Sequence, residues 1–457
     1  VSQFDENIKT GSEYQYREGF PEVRITALGL FDTNNKPGLN ITTDIVYGSL
    51  IYSNLEGKKI AKVKANIRIE DADEEKTVKR EAFAFDVTTD QQNISTSQDV
   101  FTFRKRIPVS PGRYTIYVTV VDEKSGKQST RQTNAVIPEY EDTTPHLTSI
   151  ELRANDKDDE QYGYLPVTTY DVQNSNDSLS FRFQVTNAED DTVQIFSQLM
   201  KFEADTTIAR RMSEPNYSQA SIEYEGIEYD DPTIIQENSR RIVQPRNVVV
   251  EFKFPQLDRG NYRFQASIFK TREREESIST KSRDFGIKSA NYPTPKTPRE
   301  LARPLAYLMN DDDYEQMLSI ESPDSLKKAI DKFWLQEMKK TQTAQDVIAK
   351  YYERVEEANK QFNNFKEGWK TDPGMVYILF GPPWYVDDQS VDHVQWAYSY
   401  NRQKFESNFF FEQPTQKNKF FPFNHHILQR TNDYFTIEFR QRENWKTGRI
   451  LTSPLPF

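Results

Sequence analysis

The chain has 457 residues, with 59 Lys+Arg against 70 Asp+Glu and a formal net charge of −11 at pH 7. At roughly 150 residues per domain this length predicts about three domains, and the acidic balance argues against non-specific binding to nucleic acid or an anionic membrane, both of which need clustered cations. The sequence contains no cysteine, which excludes disulfides, thiolate zinc sites, Cys-ligated iron–sulfur clusters and a Cys nucleophile, and its few histidines (His146, His393, His425, His426) make a His-rich metal centre an unpromising reading.

Taken in chain order, the first long stretch is β-patterned. Segments 24–31, 41–47, 61–70, 81–87, 100–107 and 114–121 concentrate β-formers between polar turns. Ile67 and Ile69, Phe83 and Phe85, then Phe101 and Phe103 recur with the period of two that turns one face inward. This predicts an antiparallel, Ig-like β-sandwich over 1–140. A second set follows at 149–153, 179–185, 193–202, 247–254, 262–269 and 282–287, predicting a second sandwich over 146–290. The run Ser110-Pro111-Gly112-Arg113-Tyr114 is echoed by Asp258-Arg259-Gly260-Asn261-Tyr262, each a Gly-containing turn feeding a strand that opens on an aromatic residue. The polar stretch 203–244 reads as a long insertion in the second sandwich, and 138–145 as a linker.

Three prolines, Pro293, Pro295 and Pro298, mark a further boundary. All five tryptophans and three of the four histidines lie beyond it, in a region predicted to be an α+β domain over 298–457. A short helix is expected near 299–309. Ser322-Pro323 has the chemistry of an N-cap and first helical position, and Leu326, Ala329, Ile330, Phe333 and Trp334 follow on one face. Thr343 with Asp346 has capping-box spacing, and apolar residues keep helical period from Val347 to Phe365. Gly368 is expected to end that helix in a left-handed conformation. Asp372-Pro373-Gly374 then reads as a turn launching a buried strand over 376–380, which Gly381-Pro382-Pro383 stops. Further strands are expected at 394–400, 409–412 and 434–440.

The run Gly368-Trp369-x-Thr371-Asp372, with Tyr377-Ile378-x-Phe380-Gly381-x-Pro383 after it, resembles the signature of the GWxTD-domain proteins. Phe333-Trp334, Tyr351-Tyr352-x-Arg354-Val355, Ala358-Asn359-x-x-Phe362 and Trp396-x-Tyr398 are similar to that family's flanking pattern, and the likeness covers residues 301 to 411 well. Pro373 and Trp384 depart from it, standing where a basic residue and Asp are common. The resemblance implies an exported cell-envelope protein of Bacteroidota-type bacteria, often lipid-anchored to the outer membrane. It implies no reaction. The signature residues Gly368, Trp369, Thr371, Asp372, Gly374, Tyr377, Gly381 and Pro383 read first as architecture, because turn chemistry and packing alone ask for these types at a structural junction.

Other groupings carry weaker signals. His425-His426 near Asp433, and Asp387-Asp388 near Asp392 and His393, lack any diagnostic metal or acid–base spacing. The acidic runs 156–160 and 310–313 lack the glycine and closing Glu of a calcium loop, Arg272 to Glu276 reads as an exposed hairpin tip, and Arg240-Arg241 is too short for a polyanion site. Phe410, Phe420, Phe421, Phe423 and Trp396 form a candidate partner or ligand surface, since adjacent rings on a strand point to opposite faces. The tail 453–457 reads as an extended docking segment. The expectation is therefore a non-enzymatic accessory or scaffold subunit of an outer-membrane-associated assembly. It uses envelope protein partners, no catalytic residue, cofactor, metal or nucleic acid, and touches the membrane only through a lipid anchor upstream of Val1. The alternatives are a glycan- or peptide-binding module built on the C-terminal aromatics, and an envelope hydrolase.

Overall fold

The computed structural model of the chain describes residues 20–55, 57–90, 94, 99–139, 144–156, 163–172, 176–186, 192–214, 226–243, 247–269, 276–338, 340–387, 393–399, 408–413, 423, 425–453 and 455. They fall into two compact units. One takes the described chain up to Phe202 together with Asp231–Ile287, and is built of β-sheet; the other takes Glu203–Asp230 and Lys288–Phe457, and is rich in helix.

The first unit opens with β1 (Val23–Phe31), β2 (Pro37–Val46), β3 (Ser53–Leu55), β4 (Lys58–Asp71), β5 (Lys76–Thr89), β6 (Val100–Ile107), β7 (Gly112–Asp122) and β8 (Gln128–Ile137). They form a three-stranded sheet, β1-β2-β6, and a five-stranded sheet in which β3, β4, β7 and β8 run in order and β5 pairs with β4. Alternation drives this. In β4 the residues Ala61, Val63, Ala65, Ile67 and Ile69 are buried while Lys62, Lys64 and Asn66 are exposed. Side chains from both sheets, such as Ile41 and Phe31 with Ile67 and Val118, share one apolar core.

The plan repeats with β9 (His146–Leu147), β10 (Glu151–Asp156), β11 (Tyr164–Pro166), β12 (Asp171–Val172), β13 (Asn176–Thr186), β14 (Val193–Phe202), β15 (Thr233–Ile242), β16 (Val248–Pro255), β17 (Gly260–Phe269) and β18 (Ser279–Ile287). One sheet runs β11-β10-β13-β16 with β9 on β13; the other runs β12-β18-β17-β14-β15. Phe181, Phe254, Phe264 and Phe285 meet between them, with the Phe181 and Phe264 rings stacked at 4.3 Å. The sequence echo has a physical counterpart. The Tyr114 hydroxyl donates to the Ser110 carbonyl at 2.8 Å, and the Tyr262 hydroxyl to the Asp258 carbonyl at 2.7 Å, so each ring pins the turn feeding its own strand. One expectation needs correction: the stretch 203–244 is not one loop. Thr233–Ile242 is a strand paired with β14, and Glu203–Asp230 belongs to the second unit.

The second unit contains α1 (Pro298–Ala302), α2 (Asp311–Leu318), α3 (Pro323–Leu335), α4 (Thr341–Gln361) and α5 (Asp372–Phe380), then β19 (Tyr385–Asp387), β20 (His393–Ala397), β21 (Asn408–Glu412), β22 (Ile427–Leu428) and α6 (Tyr434–Lys446). The four strands form one antiparallel sheet in chain order. The Ser322 hydroxyl caps α3 as its sequence predicts, and Leu326, Ile330 and Trp334 form the buried stripe. The capping box sits elsewhere than expected, at Thr297 with Glu300, where both reciprocal hydrogen bonds are made; α4 begins at Thr341 on an N-cap Lys340 without a side-chain cap bond. The prolines before α1 are held against α4: the Tyr292 hydroxyl donates to the Asn359 carbonyl and the Asn359 amide to the Pro293 carbonyl.

Two expected strands are helices. Residues 376–380 belong to α5, which is buried on every side, and a helix enclosed in this way shows no amphipathic stripe to distinguish it from a central strand. Residues 434–440 belong to α6, where Tyr434, Ile437, Glu438, Gln441 and Trp445 are buried at helical spacing. The alternation of Phe435, Ile437 and Phe439 imitates a strand because Phe435 and Phe439 are 64% and 57% exposed rather than buried. No helix among the described residues is long and apolar enough to cross a membrane.

Candidate functional site

The signature residues form the entrance to α5. Gly368–Lys370 is a single 3-10 turn whose first residue lies against the backbone of α4. A Cβ on Gly368 would stand 2.1 Å from the Ala358 carbonyl oxygen, so only glycine fits; its backbone is not left-handed, and α4 has already ended at Gln361. The Gly368 carbonyl accepts the Thr371 hydroxyl at 2.8 Å, and that same hydroxyl oxygen accepts the Gly374 amide at 3.1 Å, making Thr371 the N-cap of α5. Pro373 sits in the first turn, where a missing N–H costs nothing. Gly374 is the second steric requirement, because its Cβ would fall 1.9 Å from the Gly368 carbonyl oxygen. Trp369 is buried edge-on to Tyr307, and its indole N–H donates to Glu367 at 3.0 Å. Its amide donates to the Asn359 side chain, and its carbonyl accepts the Tyr307 hydroxyl.

Asp372, at the first position of α5, is the charged centre. Its carboxylate is gripped by both ends of the Arg430 guanidinium, at 2.7 and 2.8 Å, and accepts the Leu428 amide at 2.7 Å. Burial alone would raise its pKa, but the charge and hydrogen bonds of Arg430, with the Leu428 amide, hold it below the usual carboxylate value. The helix N-terminus favours the same negative charge. The remaining guanidinium donors reach back along the chain: Nε donates to the Arg211 carbonyl at 3.1 Å and Nη2 to the Arg210 carbonyl at 3.2 Å.

Those carbonyls belong to the segment between β14 and β15. The Ala209 amide donates to the Lys370 carbonyl at 2.9 Å, the Lys366 ammonium to the Thr207 carbonyl at 3.2 Å, and the Ser213 hydroxyl to Glu438 at 3.3 Å. Met212 is fully buried in the apolar core of the second unit. The signature and Arg430 together therefore hold a strap by its main chain, while Met212, Ile208 and the Ser213 hydroxyl anchor the strap's side chains in the same unit.

The far end of α5 is closed in the same way. The buried Arg354 guanidinium donates to the Ile378 and Leu379 carbonyls at 3.1 Å each and lies over the Trp445 ring; burial pushes its pKa down to about 10. Gly381 takes φ +84°, a conformation that glycine adopts without strain, and its carbonyl accepts the Tyr398 hydroxyl at 2.6 Å. Tyr377 is buried on α5 against Phe362, and Pro383 is half-buried after the helix.

The expected ligand surface does not form as such. Trp396 and Phe423 are core residues, 6% and 3% exposed, and Phe410 is half-buried on β21; Phe420 and Phe421 lie outside the described residues. The histidines do not assemble either. His393 is exposed with its Nδ1 3.5 Å from Glu412, whereas His425 is buried against Asn364. Among the described residues no group of three or more His, Asp or Glu is placed to hold a metal. Asp311, Asp312 and Asp313 form the first turn of α2, capped by Asn310, and Asp311 meets Arg211 at 2.7 Å. Residues 157–160 and 270–275 lie outside the described residues, as do 454, 456 and 457 of the tail. Sequence reasoning missed Arg430 and the strap altogether. No local pattern marks either, because both act through carbonyls and one carboxylate distant in sequence.

Burial, with the Lys366 charge beside it, pushes His425 down to about 3, so the ring is neutral in the fold. An unfolded histidine titrates near 6.5, so this group favours folding fully above that pH and progressively less as pH falls toward about 3, at up to about 1.4 kcal/mol per pH unit. Urea midpoints measured from neutral to mildly acidic pH are expected to fall more steeply for the parent than for His425→Gln; equal slopes would refute this assignment.

Residues 268–447 match the model of the GWxTD domain family, and this part of the chain is a GWxTD domain. The match leaves out the strap. No curated protein matches the chain. Among solved structures the chain is similar to a red sea bream transglutaminase (10% identity, TM-score 0.19, 60% of this chain and 32% of that one). It is also similar to a Salmonella alpha-2-macroglobulin (13%, 0.20, 62% and 17%) and to fibronectin(III)-like modules of Clostridium thermocellum CbhA (8%, 0.16, 56% and 87%). The chain thus spans under a third of the transglutaminase and under a fifth of the macroglobulin. At these TM-scores the likenesses carry no argument about function.

Proposed function

We infer that the chain is a non-enzymatic accessory or scaffold subunit of a bacterial cell-envelope assembly associated with the outer membrane, with two Ig-like sandwiches preceding its GWxTD domain. The observation that carries this reading is that the signature is spent on internal contacts. Gly368 and Gly374 make room for backbone, Thr371 caps a helix, Trp369 packs, and Asp372 is neutralised by Arg430. A carboxylate held in its charged form by a bidentate guanidinium is a poor general base, since its proton affinity has been lowered. The reading is tested by co-purification from gently solubilised envelopes: specific membrane partners should accompany the chain, and recovery only as a free monomer would sink it.

One observation favours the glycan- or peptide-binding alternative. Trp384 is 58% exposed, whereas Trp334, Trp369, Trp396 and Trp445 are at most 6% exposed, so a ligand stacking on this domain would be reported by one ring. A tryptophan fluorescence change with surface polysaccharide, lost in Trp384→Phe, would shift the assignment to that reading.

A further inference from the structure

The outer strand of the β12-β18-β17-β14-β15 sheet is unusual in being bare on both faces. All residues of β15 except Asn238 and Ile242 are exposed, and among the described residues its strand partner is β14 alone. Gln236, Asn238 and Arg240 stand opposite the buried Leu199, Ser197 and Ile195, so this face of β15 overhangs the core and is polar. Three exposed aliphatic side chains lie on this strand or directly after it: Ile234, Ile235 and Val243, at 42%, 43% and 59%. An edge of this kind presents a row of N–H and C=O groups ready to pair with another strand.

We propose that β15 pairs antiparallel with β15 of a second copy of this chain, about a two-fold axis through Ser239. The argument is one of register. Main-chain groups of a strand point alternately to either side, so a strand meets its own copy antiparallel only about a residue, not between two residues. Centring on Glu237 would set two carboxylates directly opposite each other, which is unfavourable. Centring on Asn238 sets Glu237 opposite Ser239 and leaves both arginines against uncharged groups. Centring on Ser239 sets Glu237 opposite Arg241 and Asn238 opposite Arg240, each twice by symmetry, and brings the exposed Ile235 toward Val243. Charge meets charge and aliphatic meets aliphatic in that register alone. A strand without an acidic residue would leave Arg241 facing no counter-charge, and this sequence supplies one at Glu237, with the Asn238 amide set opposite Arg240. Glu237 accepts a hydrogen bond from Gln198 at 2.6 Å, which leaves its other carboxylate oxygen available to a partner.

Single-strand pairing buries an area at the low end for specific association, so the dimer is weak and concentration-dependent. It is independent of the envelope assignment. Sedimentation of the full chain over a wide concentration range should show a monomer–dimer equilibrium. Glu237→Arg should weaken it about tenfold, and Glu237→Arg with Arg241→Glu should restore it. Because the chain has no cysteine, Ser239→Cys adds one thiol that meets its own copy at the axis, at the about 4.5–5.5 Å Cβ spacing of opposed residues, close to disulfide range. Oxidation should cross-link Ser239→Cys far faster than Thr233→Cys, which lies away from the axis. A monomer at every concentration, or equal cross-linking of the two variants, overturns the proposal.

Discussion

Asp372→Asn is expected to destabilise the second unit by about 3–5 kcal/mol, because it leaves the Arg430 guanidinium buried without its counter-charge. The pair is more than nine-tenths buried, so solvent does little to soften the loss. Folding stability totals only about 5–15 kcal/mol for a typical protein, which makes this a large fraction. All five tryptophans belong to the second unit, so the fluorescence transition in urea reads this unit alone. The strap should loosen first: hydrogen exchange at the Ala209 and Leu428 amides, bonded to Lys370 and Asp372 in the parent, should accelerate before global unfolding. Arg430→Met alone strands the carboxylate and should cost a similar amount, while the double variant should recover much of the loss, since partners in one network are not additive. A single-variant cost below about 1 kcal/mol would show that the pair is ornamental.

Gly368→Ala is the more severe change. The new methyl group would lie 2.1 Å from the Ala358 carbonyl oxygen, and in Gly374→Ala it would lie 1.9 Å from the Gly368 carbonyl oxygen. Both obstacles are main chain, so no rotamer change relieves them; either α4 and the 3-10 turn separate or α5 loses its cap. A cost above about 4 kcal/mol is expected for each, at the extreme of single substitutions. The urea transition by tryptophan fluorescence should shift far to lower denaturant or lose cooperativity. If either alanine variant unfolds within about 1 kcal/mol of the parent, the close approach does not govern this junction.

Much of this architecture is legible in residue order, and the places where it is not are instructive. Alternating residues such as Ala61 to Ile69 disclose β4 because one face meets a core and the other meets water. The Gly-x-Tyr echo is readable because a tyrosine corner is a local device, closed within four residues. The helix α5 is unreadable as a helix because burial on all sides erases the period that separates a helix from a strand. In α6 the misleading signal is Phe435 and Phe439, apolar yet turned outward, which makes a strand-like alternation out of a helix. At the site, the glycines, Thr371 and Asp372 announce a constrained junction, but their true partners do not show. Thr371 caps a helix where a strand is expected, and Asp372 finds Arg430 58 positions away. Trp396 and Phe423, chosen as surface aromatics, are consumed by the core.

The strap also sets an order of events during synthesis. Thr207 to Ser213 is made long before Asp372 and Arg430, the groups that will receive it. Its residues emerge between two strands that can pair at once, β14 and β15, so that pairing can form while the strap still has nothing to bind. Met212 and the Arg210 and Arg211 carbonyls must then wait, solvated, until nearly the whole chain has been translated. Closing the second unit is thus a late, long-range step, slow in the sense that contacts distant in sequence are slow. A chain cut between the β-region and residue 288 would lack part of the second unit's core, however neatly the cut followed the proline-marked boundary.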